Sequence, residues 1–315
     1  MNKSLLRVAL LSALALVAVG CQKAPESATT PAAQSAAATS PDGALMASIA
    51  ALKAGDFDSL MKNSLPPAEF AKIKADWNKD QDPITDEERQ KFADTIGKLT
   101  APDAEQKIFA EIEPQLTAFD AQYQQQIPMY VAMGSGWLQG MVQQNKDMSE
   151  ESKQQALAAI NALGAWVTKT RFTDPAKVKQ VIAIVVKAAR DLNLKSLDEA
   201  RALSYEQGMQ KGKAAFAAFK DALNVYGFSF DQTLDSIKPE VVSNDGKTAK
   251  IKMSYTLLGT PLTGEADMVN VDGRWYGKDT IEKIKEKAAA QAGGEGAAPA
   301  VAPAAEAPAT PETQG

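Results

Sequence analysis

The 315-residue chain contains no histidine and one cysteine, Cys21. Without histidine there is no Ser-His-Asp or Cys-His catalysis, no His-ligated zinc or haem, and no imidazole switch near neutral pH. A single cysteine excludes an intramolecular disulfide, a CxxC redox pair and a Cys-built zinc cluster. No G-x-S-x-G nucleophile elbow is present. Aromatic residues amount to only 6%, while 45% hydrophobic and 23% charged residues are ordinary for a globular chain. What is there is a short apolar leader ending at the cysteine, followed by a long, mostly helical body.

The leader opens with Lys3 and Arg7, runs through the apolar segment Val8 to Val19, and ends in Ala18-Val19-Gly20-Cys21. Twelve residues are too few to cross about 30 Å of hydrocarbon, and fit the hydrophobic segment of a secretory signal. These residues resemble the signal of bacterial lipoproteins, which is cut just before a cysteine that then carries acyl chains. The resemblance covers residues 1–21, makes Cys21 the lipidation site, and implies membrane attachment. In many Gram-negative lipoproteins an Asp after that cysteine retains the protein in the inner membrane. Gln22 stands there, so the resemblance implies an outer-membrane anchor facing the periplasm. Cleavage would remove Lys3 and Arg7, leaving 32 basic against 39 acidic residues, a net charge of −7. That balance gives no footprint for nucleic acid.

Composition divides the rest. Residues 21–41, the cysteine and a stretch of Ala, Ser, Thr, Pro and Gln, read as a disordered tether, and the Ala/Pro-rich 292–315 read as a disordered tail. Between them, 42–235 carries helical periodicity. Ser40-Pro41-Asp42, Asp56, Thr85-Asp86-Glu87-Glu88, Ser149, Asp174-Pro175 and Ser196 all read as helix starts. Pro114 is expected to kink or split the segment 103–126, and 129–144 follows as a further segment. The run 181–186 (VIAIVV) is apolar on nearly all sides and is expected to be the most buried helix. From residue 236 the period changes to strands, broken at Asn244-Asp245-Gly246, Gly259-Thr260-Pro261 and Asp272-Gly273, before a closing helix from Asp279 to about Ala290. The expected fold class is α+β: a mostly helical body (42–235), then a C-terminal antiparallel meander of about four strands and a helix (236–291), packed together as one domain.

The ending of that meander, an alternating strand, a turn and DGRWYG (272–277), resembles the final hairpins of nuclear transport factor 2-like and cystatin-like lipoprotein domains. The resemblance covers about the last 60 residues of the body and implies a sheet curled around a helix, often with a pocket. Trp275 and Tyr276 are then candidates to line it. The alternative places Trp275 in the core with the polar tip of Tyr276 outside.

The sharpest local pattern is DWNKDQDPITDE (76–87). Asp76, Asn78, Asp80, Asp82 and Glu87 occupy the first, third, fifth, seventh and twelfth positions of a calcium EF-hand loop, where hard oxygen ligands are needed. Gln81 replaces the glycine of the sharp turn, so a polar connector before a helix is the competing reading. Gly134-Ser135-Gly136-Trp137 to Gly140 has neither a preceding strand nor a following GK[ST], which favours small residues at a close helix approach. The stripe Met129, Met133, Met141 reads as core packing. Three functional expectations follow. The first is a non-enzymatic, outer-membrane-anchored lipoprotein of interaction or assembly type, with an envelope protein as partner and no cofactor. The second is a small-molecule or lipid binder using a cleft between sheet and helices. The third is a calcium-binding lipoprotein acting through 76–87.

Overall fold

A computed structural model describes residues 39–79, 81–146 and 148–294. Cys21, the leader, most of the tether and residues 295–315 lie outside the described residues, as does Asp80. The first helices are short and begin where local chemistry says they should. Helix α1 (Pro41–Ala54) starts at Ser40, whose Oγ accepts from the Gly43 N–H at 3.2 Å, and stops at Gly55 with φ +64°. α2 (Phe57–Ser64) is capped by Asp56, and α3 (Pro67–Ala75) begins with proline at its first position. α4 (Asp86–Thr100) carries a reciprocal capping box between Thr85 and Glu88.

α5 (Ala104–Gln144) is a single helix of 41 residues with Pro114 and Pro128 inside it. This corrects the expectation of two segments. Each proline removes one hydrogen bond, but the helix packs on both sides of the breaks, and that packing decides. α6 (Glu150–Lys169) and α7 (Pro175–Leu192) follow, capped by Ser149 and Asp174. The short α8 (Leu197–Arg201), the long α9 (Tyr205–Val225) and α10 (Phe230–Asp235) complete the helical part. α7 is amphipathic rather than buried all round: Val178, Ile182, Val186 and Ala189 face inward, while Val185 is exposed.

The sheet is a meander of β1 (Lys238–Asn244), β2 (Thr248–Leu257), β3 (Thr260–Val271) and β4 (Arg274–Gly277), all antiparallel and in sequence order. The expected α+β layout, helices first and sheet last, is what the chain adopts. The β2–β3 turn is Leu258-Gly259, both at positive φ, with Pro261 already inside β3 opposite Thr256. That proline is tolerated because β4 pairs only with residues 268–271, leaving β3 unpaired on that side at Pro261. α11 (Lys278–Gly294) closes the fold and runs three residues into the segment read as a tail. β1 is an outer strand exposed at every position but Pro239, and its ladder slips between Val241 and Ser243.

Three clusters hold the molecule together. One face of the sheet (Ala249, Ile251, Met268, Trp275) packs on α1 through Ala44, Leu45 and Ile49. The next turn of α1, Ala51 and Leu52, meets Leu60 and Leu234. A separate cluster joins the first half of α5 (Ala104, Phe109) to α7 (Val178, Ile182, Val186).

Candidate interaction surface

The second half of α5 contains no charged residue from Ala121 to Asn145. Its inner side lies along α6, where a Cβ on Gly164 would meet Ser135 Oγ at 3.2 Å and Val131 Cγ1 at 3.3 Å. The close approach expected of small residues therefore exists, but Ser135 and Gly164 make it. Gln139 Nε2 donates to Asn161 Oδ1 at 3.1 Å beside it. The glycines of the expected motif do something else. Gly134 and Gly136 have nothing within 4 Å of a built Cβ, and Gly140 has only Gln144 of its own helix.

The outer side corrects the reading of the methionine stripe as core. Met129, Met133, Trp137 and Met141 stand one helical turn apart and are 52%, 65%, 67% and 53% exposed. Tyr130 and Phe119 are exposed on the same side of the helix. Ala132, Gly136 and Gly140 form the adjacent row at the same four-residue spacing, so a ridge of large apolar side chains runs beside a groove of small ones. Single exposed apolar residues need no explanation, whereas a contiguous row of this size marks a contact surface. Among the described residues, no helix is long and apolar enough to cross a membrane.

The first half of the same helix is fixed by polar ties. Asp120 accepts from Arg171 Nε at 3.0 Å and also bonds the Arg171 Nη2 and the Thr173 hydroxyl. The Arg171 guanidinium, and after it the Thr173 hydroxyl, hold the Asp120 carboxyl well below the usual range, at about 2. Tyr123 donates to the Thr170 carbonyl at 3.1 Å. α5 is thus anchored before its apolar outer face begins.

A second concave region lies between α6, the segment 227–233 and the β2–β3 hairpin. It is a cleft of about 520 Å³ lined by Trp166, Lys169, Phe228, Gln232, Leu258 and their neighbours. Trp166 is held there by donating its indole N–H to the Tyr226 carbonyl at 2.9 Å. Leu258 sits at φ +51° on the rim, in the left-handed region that a leucine rarely adopts.

Trp275 and Tyr276 line neither this cleft nor the smaller one beside Tyr255. Both are buried, at 3% and 2% exposure, and as successive strand residues they point to opposite faces of β4. Trp275 packs in the core against α1 and donates its indole N–H to the Thr39 carbonyl at 3.2 Å. The polar tip of Tyr276 is not outside as the alternative held.

The described side chains of the segment 76–87 are tied to their neighbours. Asp76 pairs with Lys79 at 2.9 Å, Glu87 with Lys91 at 2.7 Å, and Asn78 donates to the Leu203 carbonyl at 3.2 Å while accepting from Gln81. The Asp82 carbonyl accepts from Arg201. Among the described residues no three carboxylate, His or Cys side chains converge as a metal site would require. Asp80, the fifth position of the calcium pattern, lies outside the described residues. The S-x-x-K spacing of Ser59 and Lys62 on α2 forms no dyad: Ser59 Oγ donates to Asp56 at 2.7 Å and Lys62 pairs with Asp58.

Comparison with protein-family models, with curated proteins and with solved structures finds no match to the chain.

Proposed function

We propose that the chain is a non-enzymatic envelope lipoprotein, anchored through Cys21 in the outer membrane and facing the periplasm, whose body acts as a protein-interaction module. The observation that carries the interaction role is the outer face of α5, an uncharged row of exposed Met and Trp side chains on a helix fixed at its other end. A face without charge loses little on desolvation, and its large flexible side chains adapt to a protein surface. The leader ending at Cys21 supports the anchor, and the stretch 22–38 between it and the first described residue would let the body stand off the membrane.

The test is a photo-cross-linking side chain at position 137, with a control at exposed Lys187 on α7, in the lipidated protein in cells. Protein adducts are expected from position 137 and not from 187. Loss of membrane fractionation is expected in Cys21→Ala. No protein adduct from any position along the outer face would overturn the interaction role.

A second reading, a small-molecule or lipid binder, is favoured by the cleft between α6 and the β2–β3 hairpin. Its volume is in the range of ligand sites, and Trp166, Phe228 and Leu258 line it beside Lys169 and several hydroxyl and amide groups. A ligand retained on the chain in native mass spectrometry, and lost in Leu258→Trp, would move this reading to the front.

A further inference from the structure

We infer that the outer face of α5 binds a second copy of this chain, through a two-fold packing of α5 against α5. The inference deepens the interaction role proposed above and rests on it.

The shape of the face is self-complementary. The ridge Met129, Met133, Trp137, Met141 and the groove Ala132, Gly136, Gly140 run side by side along the same helix. A two-fold axis between the rows seats the ridge of each copy in the groove of the other. That is the ridges-into-grooves geometry of helices crossing at about −50°. The groove is open to receive it, since nothing outside the helix lies within 4 Å of a Cβ built on Gly136 or Gly140.

Area supports the same occupant. Met129, Tyr130, Met133, Trp137 and Met141, all near the crossing, are each more than half exposed. At roughly 200 Å² for a large side chain, they present about 600 Å² per copy. Two copies would then bury about 1,200 Å² in total, at the lower end of specific protein–protein interfaces.

Charge favours a copy over a lipid surface. Without its leader the chain is acidic, with 32 basic against 39 acidic residues, so two copies carry like net charge. Residues 121–145 carry no charge, so two copies can meet there without bringing like charges together. Helices that lie on anionic lipid carry Lys and Arg on their polar side. No basic residue occurs between Lys107 and Lys146.

The test is sedimentation equilibrium of the mature chain carrying Cys21→Ser, which removes the acyl chains. A dimer is expected at about 10 μM. Gly136→Leu fills the groove and Trp137→Gln removes the central knob, and each is expected to weaken dimerisation at least tenfold. Leucine is a better helix former than glycine, so Gly136→Leu is expected to melt no lower as a monomer. Phe219→Gln, an exposed aromatic on α9, is the control and is expected to leave the dimer intact. A monomeric chain at 100 μM, or a dimer that persists in both variants, would overturn the inference. A monomer that instead floats with phosphatidylethanolamine vesicles through Trp137 would overturn it in favour of a lipid surface. If the chain is monomeric while position 137 still cross-links a different envelope protein, self-pairing fails and the interaction role stands. If no protein adduct forms at all, both fail.

Discussion

Gly208 lies where the indole of Trp77 presses onto α9, and a Cβ there would stand 2.5 Å from the ring. Trp77 cannot simply swing away, because its indole N–H donates to the Leu203 carbonyl at 3.0 Å and its ring stands edge-on to Tyr205 at 5.3 Å. Gly208→Ala gains helix propensity but must displace this packed ring. We expect a net loss of about 1–2 kcal/mol, read from urea unfolding monitored by tryptophan fluorescence. Asp120 gives a pH signature at the same scale. Its folded pKa is lowered to about 2 from an ordinary 3.8 by Arg171 and Thr173, so its contribution is complete above about pH 4 and lost as pH falls through 2. Asp120→Asn should lower the urea midpoint at pH 7 and leave it unchanged from the parent near pH 2. Midpoints measured at pH 7, 4, 3 and 2 check this, and a constant gap across that range would contradict it.

At the scale of elements, helix starts were legible in the sequence because capping is local chemistry. Ser40, Asp56, Thr85, Ser149, Asp174 and Ser196 all accept from backbone N–H groups within the first turn, as their positions before periodic segments suggested. The continuity of α5 was not legible, since proline's local penalty is visible in a sequence while the packing of distant flanks is not. The outer face of α5 was misread for a related reason. Periodicity marks an apolar side but does not say whether the same chain covers it. Likewise Asp76, Asn78 and Glu87 have the spacing of calcium ligands, and spacing does not report that Asp76 and Glu87 pair with Lys79 and Lys91 or that the Asn78 amide donates to the Leu203 carbonyl and accepts from Gln81. Pro128 gives the test belonging to this scale. It is exposed in the helix interior. Proline costs up to about 3 kcal/mol relative to alanine in such a position, so Pro128→Ala should raise the melting temperature by several degrees. A variant no more stable than the parent would mean that the helix is already broken there in solution.

For the molecule as a whole, the three clusters are unequally connected. α1 belongs to two of them, through Ala44, Leu45 and Ile49 on the sheet side and Ala51 and Leu52 toward α2 and α10, whereas the cluster of α5 and α7 shares no residue with either. Ile251→Ala and Val186→Ala empty two fully buried positions in separate clusters. Each should cost about 1–4 kcal/mol, and the double variant should equal the sum to within about 0.5 kcal/mol. A larger coupling, measured by urea unfolding, would mean that the clusters act as one core. The two ways in which copies of this chain could meet also differ in kind. Pairing along an outer strand repeats without limit, because each added strand presents a new edge. β1 interrupts that route with Pro239, the charged pair Lys238 and Glu240, and the slip after Val241. A two-fold contact on α5 uses itself up when two copies have met. The same sequence therefore discourages open-ended polymerisation at the sheet and leaves the helix face for an association that stops at two.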